Sequence, residues 1–181
     1  MGSENTSSAD NQQETARTIF SRPDWVAGFV DAEGCFSVRV NKNANASRSF
    51  GWAFGFSFSV SQHERAAEVL YGLVDIFRCG TVSRKSRTSS VLVYSCTSRK
   101  SLSDYVVPYF TDHELIVKAK DFDKFATLLK YSQQGRHFTS KGFREMVNLA
   151  YSMNFEGRQR TTPLSEIVRS GSSETVRQAL V

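Results

Sequence analysis

The chain has 181 residues, and its 23 Lys and Arg against 18 Asp and Glu give a formal net charge of +5. A chain of this length forms one domain by default, and 40% hydrophobic residues are enough to bury a core. No apolar run approaches the roughly 20 residues of a membrane-spanning helix. The scattered cysteines, Cys35, Cys79 and Cys96, argue against a disulfide framework or a zinc site.

The two ends of the chain differ in composition from its middle. Residues 1–20 are small and polar, and they cannot bury enough apolar surface to become ordered. Beyond Gly157 the chain is polar and basic. We therefore predict a disordered segment over 1–20, a domain over 21–156 and a basic tail over 157–181 that is partly helical or disordered.

The domain begins with a predicted helix. Ser21 is a candidate N-cap, because Pro23 follows it inside the first helical turn. The helix runs to about Ala32 and is ended by Gly34.

Two strands with one buried face follow the first helix. Residues 35–40 alternate between apolar and polar, and turn-forming residues over 41–47 lead to the second strand. Five apolar side chains of that second strand alternate with small or polar ones: Trp52, Phe54, Phe56, Phe58 and Val60. One aromatic face and one smooth polar face are typical of an antiparallel sheet with one open side.

Helical spacing returns over 62–77, and residues 80–87 and 90–97 predict a hairpin. Three further helices are predicted over 100–109, 114–131 and 140–154. This order of elements predicts an α+β fold with the helices gathered on the aromatic face of the sheet.

The open face of the predicted sheet is basic. No acidic residue lies between Cys35 and Gln62 or between Arg78 and Leu102, which are the strand windows, and Arg99 and Lys100 extend the charge. Such segregation is typical of a polyanion-binding surface, because each cation that meets a phosphate releases counterions. A solvated sheet with incidental basic residues is the alternative. The candidate DNA-contacting side chains, small polar or basic types able to read base edges, are Ser37, Arg39, Asn41, Asn43, Ser57, Ser59, Ser61, Ser83, Lys85 and Arg87.

The first helix carries the best candidate for chemistry. Gly28 and Ala32 lie four residues apart, and such small residues let a second helix approach closely. Glu33 lies at the helix C-terminus, where the macrodipole disfavours a carboxylate, and a bound cation would compensate. We interpret Asp31 as structural, holding the turn or capping backbone amides.

Residues 26–34, Val-Ala-Gly-Phe-Val-Asp-Ala-Glu-Gly, resemble the LAGLIDADG motif of homing endonucleases, with five identities and four conservative replacements. The Ser61-Gln62 strand end, the Gly80-Thr81-Val82 strand entry and Lys118-Ala119-Lys120 also resemble that family. The resemblance implies an αββαββα fold, a saddle of antiparallel strands that lies in the DNA major groove with helices on one face.

The resemblance also implies roles for site residues. Glu33 and the carbonyl of Ala32 would bind a divalent metal, normally Mg²⁺. Gln62 matches a water-positioning residue, with a helix cap as the alternative. Lys118 matches a basic residue near the scissile phosphate, with a solvated helix charge as the alternative and Lys120 as its substitute if the register shifts.

The single motif copy implies a homodimer in which Gly28 and Ala32 lie at the interface. The function implied is a site-specific double-strand DNA endonuclease that cuts across the minor groove of a long pseudo-palindromic site and promotes intron homing in an organelle. The first alternative is a relative that only binds, either a maturase acting on intron RNA or a DNA-binding regulator. The second is an unrelated α+β protein-interaction module.

Overall fold

Helices cover one face of a four-stranded antiparallel sheet in the computed structural model, which describes residues 22–154, 160 and 162–169. The helices and strands, in chain order, are α1 Pro23–Glu33, β1 Gly34–Lys42, β2 Trp52–His63, α2 Ala67–Phe77, β3 Thr81–Arg84, β4 Val91–Cys96, α3, α4 Ala119–Gln133 and α5 Ser140–Tyr151. The helix α3 is continuous through Arg99–Ser101, a π-helical turn at Leu102–Val106, and Val107–Asp112.

The sheet order is β1-β2-β4-β3, so the aromatic strand β2 is central. Gly34 pairs with Val60 and Phe36 with Phe58, and this register sends the apolar residues of both strands to the same face. That face is buried under the helices, whereas the opposite face carries the polar alternation. The predicted α+β arrangement is present.

Aromatic rings hold the helices onto the sheet. Phe36 stacks on Phe58 with ring centroids 4.8 Å apart, and Phe110, Phe122 and Phe125 meet Phe36 at 5.4–5.7 Å. Pairs of this kind add about 0.5–1.5 kcal/mol each beyond the burial of their surface. The period-two aromatic strand is thus the centre of the core, as the alternation predicts.

Several element boundaries differ from the predictions. The residue before α1 is Arg22, whose side chain makes no cap hydrogen bond, while Ser21 and the predicted disordered segment lie outside the described residues. The helix predicted from residue 114 begins at Ala119, since the preceding residues are held in an irregular conformation described below. None of the described helices is both long and apolar enough to cross a membrane.

The packed domain extends beyond residue 156, where the sequence places its end. Ile167 is fully buried, and Glu166 pairs with Lys42 at 2.7 Å. Arg160 donates to the Val38 carbonyl at 2.9 Å, and Asn154 donates to the Phe36 carbonyl at 2.9 Å. Both bonds cap the free edge of β1, which would otherwise offer unpaired carbonyls to another strand.

We predict that the stability of this fold depends on pH through His137. Burial, aided by the charge of Arg99, lowers the pKa of His137. The unfolded chain therefore binds a proton more readily, and stability should fall as the pH drops from about 7 to below the usual histidine pKa. Urea unfolding at several pH values should show a shallower fall for His137→Phe than for wild type or for His113→Gln. Equal slopes for His137→Phe and wild type would contradict this role.

Candidate functional site

The end of α1 leads directly into β1, and this turn presents Glu33. The Gly34 amide donates to the Val30 carbonyl, so no loop separates helix from strand. A Cβ at Gly34 would lie 2.6 Å from that carbonyl oxygen, so the close approach requires glycine there. Glu33 is exposed at the last helical position, beside the edge strand.

Asp31, two residues before Glu33, holds a distant part of the chain. Its carboxylate accepts hydrogen bonds from three successive backbone amides, those of Ile116 at 2.6 Å, Val117 at 3.1 Å and Lys118 at 2.9 Å. Burial alone would raise the pKa of Asp31. The three amides and the charge of Lys118 together lower it by more than burial raises it, so the pKa lies below the usual value. The structural interpretation of Asp31 is therefore supported, in the form of an amide cap.

The Lys118 ammonium lies at the end of α1. It donates to the carbonyl oxygen of Asp31 and, at 3.2 Å, to that of Ala32. A cation at a helix C-terminus is favourable because the carbonyls there carry partial negative charge. The structure thus brings Lys118 to the predicted metal-binding residue Ala32, next to Glu33, whereas Lys120 is exposed on α4.

Gln62 lies at the same end of the sheet, two residues beyond the Gly34–Val60 pair. Its side-chain oxygen accepts the amide of His63 at 3.0 Å. The next turn is capped by His63, which accepts the Arg65 amide at 3.2 Å, so the cap role considered for Gln62 belongs to its neighbour. In the described part of the chain, no hydrogen bond joins Gln62 to Glu33 or Lys118.

The oxygen atoms at the end of α1 suit a hard cation in type but are few in number. The carboxylate of Glu33 and the carbonyl of Ala32 are ligands that Mg²⁺ accepts, usually with several waters retained. Within residues 22–154, 160 and 162–169 no group of three or more His, Cys, Asp or Glu could hold a metal. One copy of the chain therefore offers a fitting but incomplete donor set.

One stripe of α1 is uncovered. Gly28 and Ala32 are exposed, and a Cβ added at Gly28 would have no atom within 4 Å. The apolar residues Val26, Ala27 and Val30 point into the core instead. The stripe of small residues is therefore exposed on the surface of the chain, and its place at an interface stays a prediction.

The polar face of the sheet and the loops at its strand ends display most of the predicted DNA-contacting residues. The exposed ones are Arg39, Asn41, Asn43, Ser83, Lys85 and Arg87, and the half-buried ones are Ser37, Ser59 and Ser61. Ser57 is only 9% exposed and offers little surface for a contact. Cys35 is exposed on the same face and was not selected from the sequence, although the strand alternation points to it.

The charge of this face comes from fewer residues than the sequence suggests. Arg99, which we expected on the open face, donates instead to the Phe54 carbonyl at 3.0 Å on the core side and lies over the Phe56 ring. Arg84 pairs with Glu64 at 2.6 Å. Among the described residues, no ion pair involves Arg39, Lys85 or Arg87, so these three supply the uncompensated charge there.

Comparison with known proteins identifies close similarities. Residues 26–129 match the family described as LAGLIDADG endonuclease. The chain is 27% identical over 117 residues to DNA endonuclease I-CeuI of Chlamydomonas moewusii, over 62% of this chain and 53% of that protein. It therefore spans about half the length of that curated relative.

Two solved structures share the fold. The crystal structure of the homing endonuclease I-TnaI matches with 33% identity and a TM-score of 0.69, over 84% of this chain and 97% of that chain. The structure of I-SmaMI bound to an uncleaved DNA target in the presence of calcium ions matches with 27% identity and a TM-score of 0.68, over 74% of this chain and 45% of that chain. The predicted fold class is confirmed.

Proposed function

The chain belongs to the LAGLIDADG endonuclease family, and we propose that it is a site-specific homing endonuclease that hydrolyses both strands of double-stranded DNA. The observation that carries this proposal is that the Lys118 ammonium lies on the carbonyl of Ala32, the residue before the exposed Glu33 at the end of α1. Both residues lie at the edge of an exposed sheet face whose strands lack acidic residues. A cation and an exposed carboxylate beside a basic surface suit phosphodiester cleavage.

Binding to DNA would use the open face of the sheet. Arg39 on β1 and two residues of the β3–β4 loop, Lys85 and Arg87, are exposed. None of the three forms an ion pair with another described residue, so they are available to phosphates. Exposed Asn41 and Ser83 carry the hydrogen-bonding groups that read base edges in a major groove. Ser57 is too buried for a direct contact and would act by keeping this part of the face smooth.

Cleavage would take place at the end of α1. Glu33 would hold Mg²⁺, and the Ala32 carbonyl would join it once the Lys118 ammonium had moved from that carbonyl to the phosphate. When bound, the metal lowers the pKa of water and neutralises charge on the scissile phosphate. Gln62 would orient the attacking water from the end of β2. Lys118 would stabilise the negative charge that grows on the phosphate, an electrostatic role that a water-excluded site strengthens.

A second copy of the chain would complete the site. One chain offers one carboxylate at the end of α1, and the open stripe of Gly28 and Ala32 on the same helix suits packing against its own copy. The two-fold axis of such a homodimer would place two Glu33 side chains close together and would match a pseudo-palindromic DNA site. Intron homing in an organellar genome is the biological setting we propose, from the family resemblance.

Selection of cleaved sites from a randomised DNA library with Mg²⁺ tests the activity. Wild type should enrich one long site, and Glu33→Gln should cut it at least about 100-fold more slowly, since a metal ligand is worth several kcal/mol. Glu68→Gln, an exposed position on α2, is the matched control and should cut normally. Binding of intron RNA without DNA cleavage by wild type would replace this proposal with the splicing alternative.

A larger side chain on the α1 stripe tests the homodimer. Gly28→Leu should shift the chain from dimer to monomer in sedimentation velocity, because the leucine fills the space that a close helix approach requires. Gln133→Leu adds the same side chain at an exposed position of α4 and should leave the dimer intact. A monomeric wild type, or a Gly28→Leu protein that dimerises equally well, would contradict the proposed interface.

A further inference from the structure

Asp31 contacts Lys118 through two groups, its side-chain carboxylate and its backbone carbonyl. The Asp31 carboxylate accepts the Lys118 backbone amide at 2.9 Å, and the Asp31 carbonyl accepts the Lys118 ammonium. The main chain and the side-chain end of this lysine are therefore fixed by one residue that is 87 positions away in sequence. We propose that Asp31 is a positioning residue that sets the place of the Lys118 ammonium at the cleavage site.

Packing holds the segment that precedes Lys118 at Leu115, which is buried in the core, but not at the two residues that follow it. Ile116 and Val117 are 88% and 79% exposed, so their apolar side chains hold nothing in the described chain. Their backbone amides, however, both donate to the Asp31 carboxylate. Between the buried Leu115 and Lys118, the hydrogen bonds to Asp31 are thus what restrains the main chain.

The same carboxylate stabilises the start of α4. Lys118 is the residue before the first helical position, and its side chain provides no cap. Asp31 accepts amides at that end from another helix, where a negative charge is favoured by the helix dipole. Hydrogen bonds to a charged acceptor are stronger than those between neutral groups. Removal of the charge should release the segment and the lysine together.

In the proposed role, Asp31 affects cleavage only through Lys118 and makes no contact with DNA. A purely structural role would lower the stability of α4 but would not depend on the lysine side chain. The two roles differ in a double-mutant cycle, because a residue that acts only through Lys118 has no further effect once that lysine is removed.

The rate at which Lys118 is acetylated reports whether its ammonium is held in place, and it needs no cleavage assay. In the full chain, free of DNA and metal, Lys118 should react slowly with an amine-acylating reagent, since its ammonium is bonded to two carbonyls. Exposed Lys120 is an internal reference. Asp31→Asn should raise the ratio of Lys118 to Lys120 acetylation about tenfold, whereas Asp24→Asn on the same helix should leave it unchanged.

The cleavage cycle then compares Asp31→Asn, Lys118→Met and the double variant on the selected DNA site. Asp31→Asn should slow single-turnover cleavage about 100-fold, the effect of a misplaced group, while DNA affinity measured with Ca²⁺ stays unchanged. The double variant should match Lys118→Met within about twofold.

An unchanged acetylation ratio would overturn the positioning role, as would a further large loss in the double variant. If Asp31→Asn fails to fold, Asp31→Glu keeps the anion but displaces it, and the same two measurements apply. This inference rests on the proposed function only for the cleavage cycle. A wild type that cuts no DNA would defeat the proposed function, and the acetylation ratio would still decide the positioning.

Discussion

The carboxylate of Asp31 joins two parts of the molecule that the candidate site needs together. It lies on the helix that ends in Glu33, and it accepts three amides of the segment that ends in Lys118. Because hydrogen bonds to a buried or half-buried charge are strong and directional, one side chain fixes the relative position of an acid and a base far apart in sequence. The proposed chemistry depends on that juxtaposition.

Sequence reasoning succeeded where the signal is local. The alternation from Trp52 to Val60 predicts the central strand because side chains of a strand point to opposite faces, and the structure buries all five apolar residues. The motif helix and its glycine are equally local, since Gly34 is required by a contact with Val30 only four residues away. The family then follows from those same residues.

Local sequence patterns did not predict the contacts between residues that are far apart in the chain. Nothing in the composition near Ile116 and Val117 marks them as partners of Asp31, so helical spacing placed the start of α4 several residues too early. Arg99 has the charge of a DNA-binding residue, but it donates to the Phe54 carbonyl, a contact 45 residues away that no local pattern predicts. Ile167 lies in a polar and basic stretch, and only the packed structure reveals that it is buried.

We propose that two copies of the chain share the cleavage of one DNA site. A direct test is to refold wild type and Glu33→Gln together in varied proportions and to measure double-strand cleavage of the selected site. If both copies must supply Glu33, double-strand cleavage falls as the square of the wild-type fraction, to about a quarter at equal amounts. A linear fall, to about half at equal amounts, would mean that each chain cuts alone and would contradict the account.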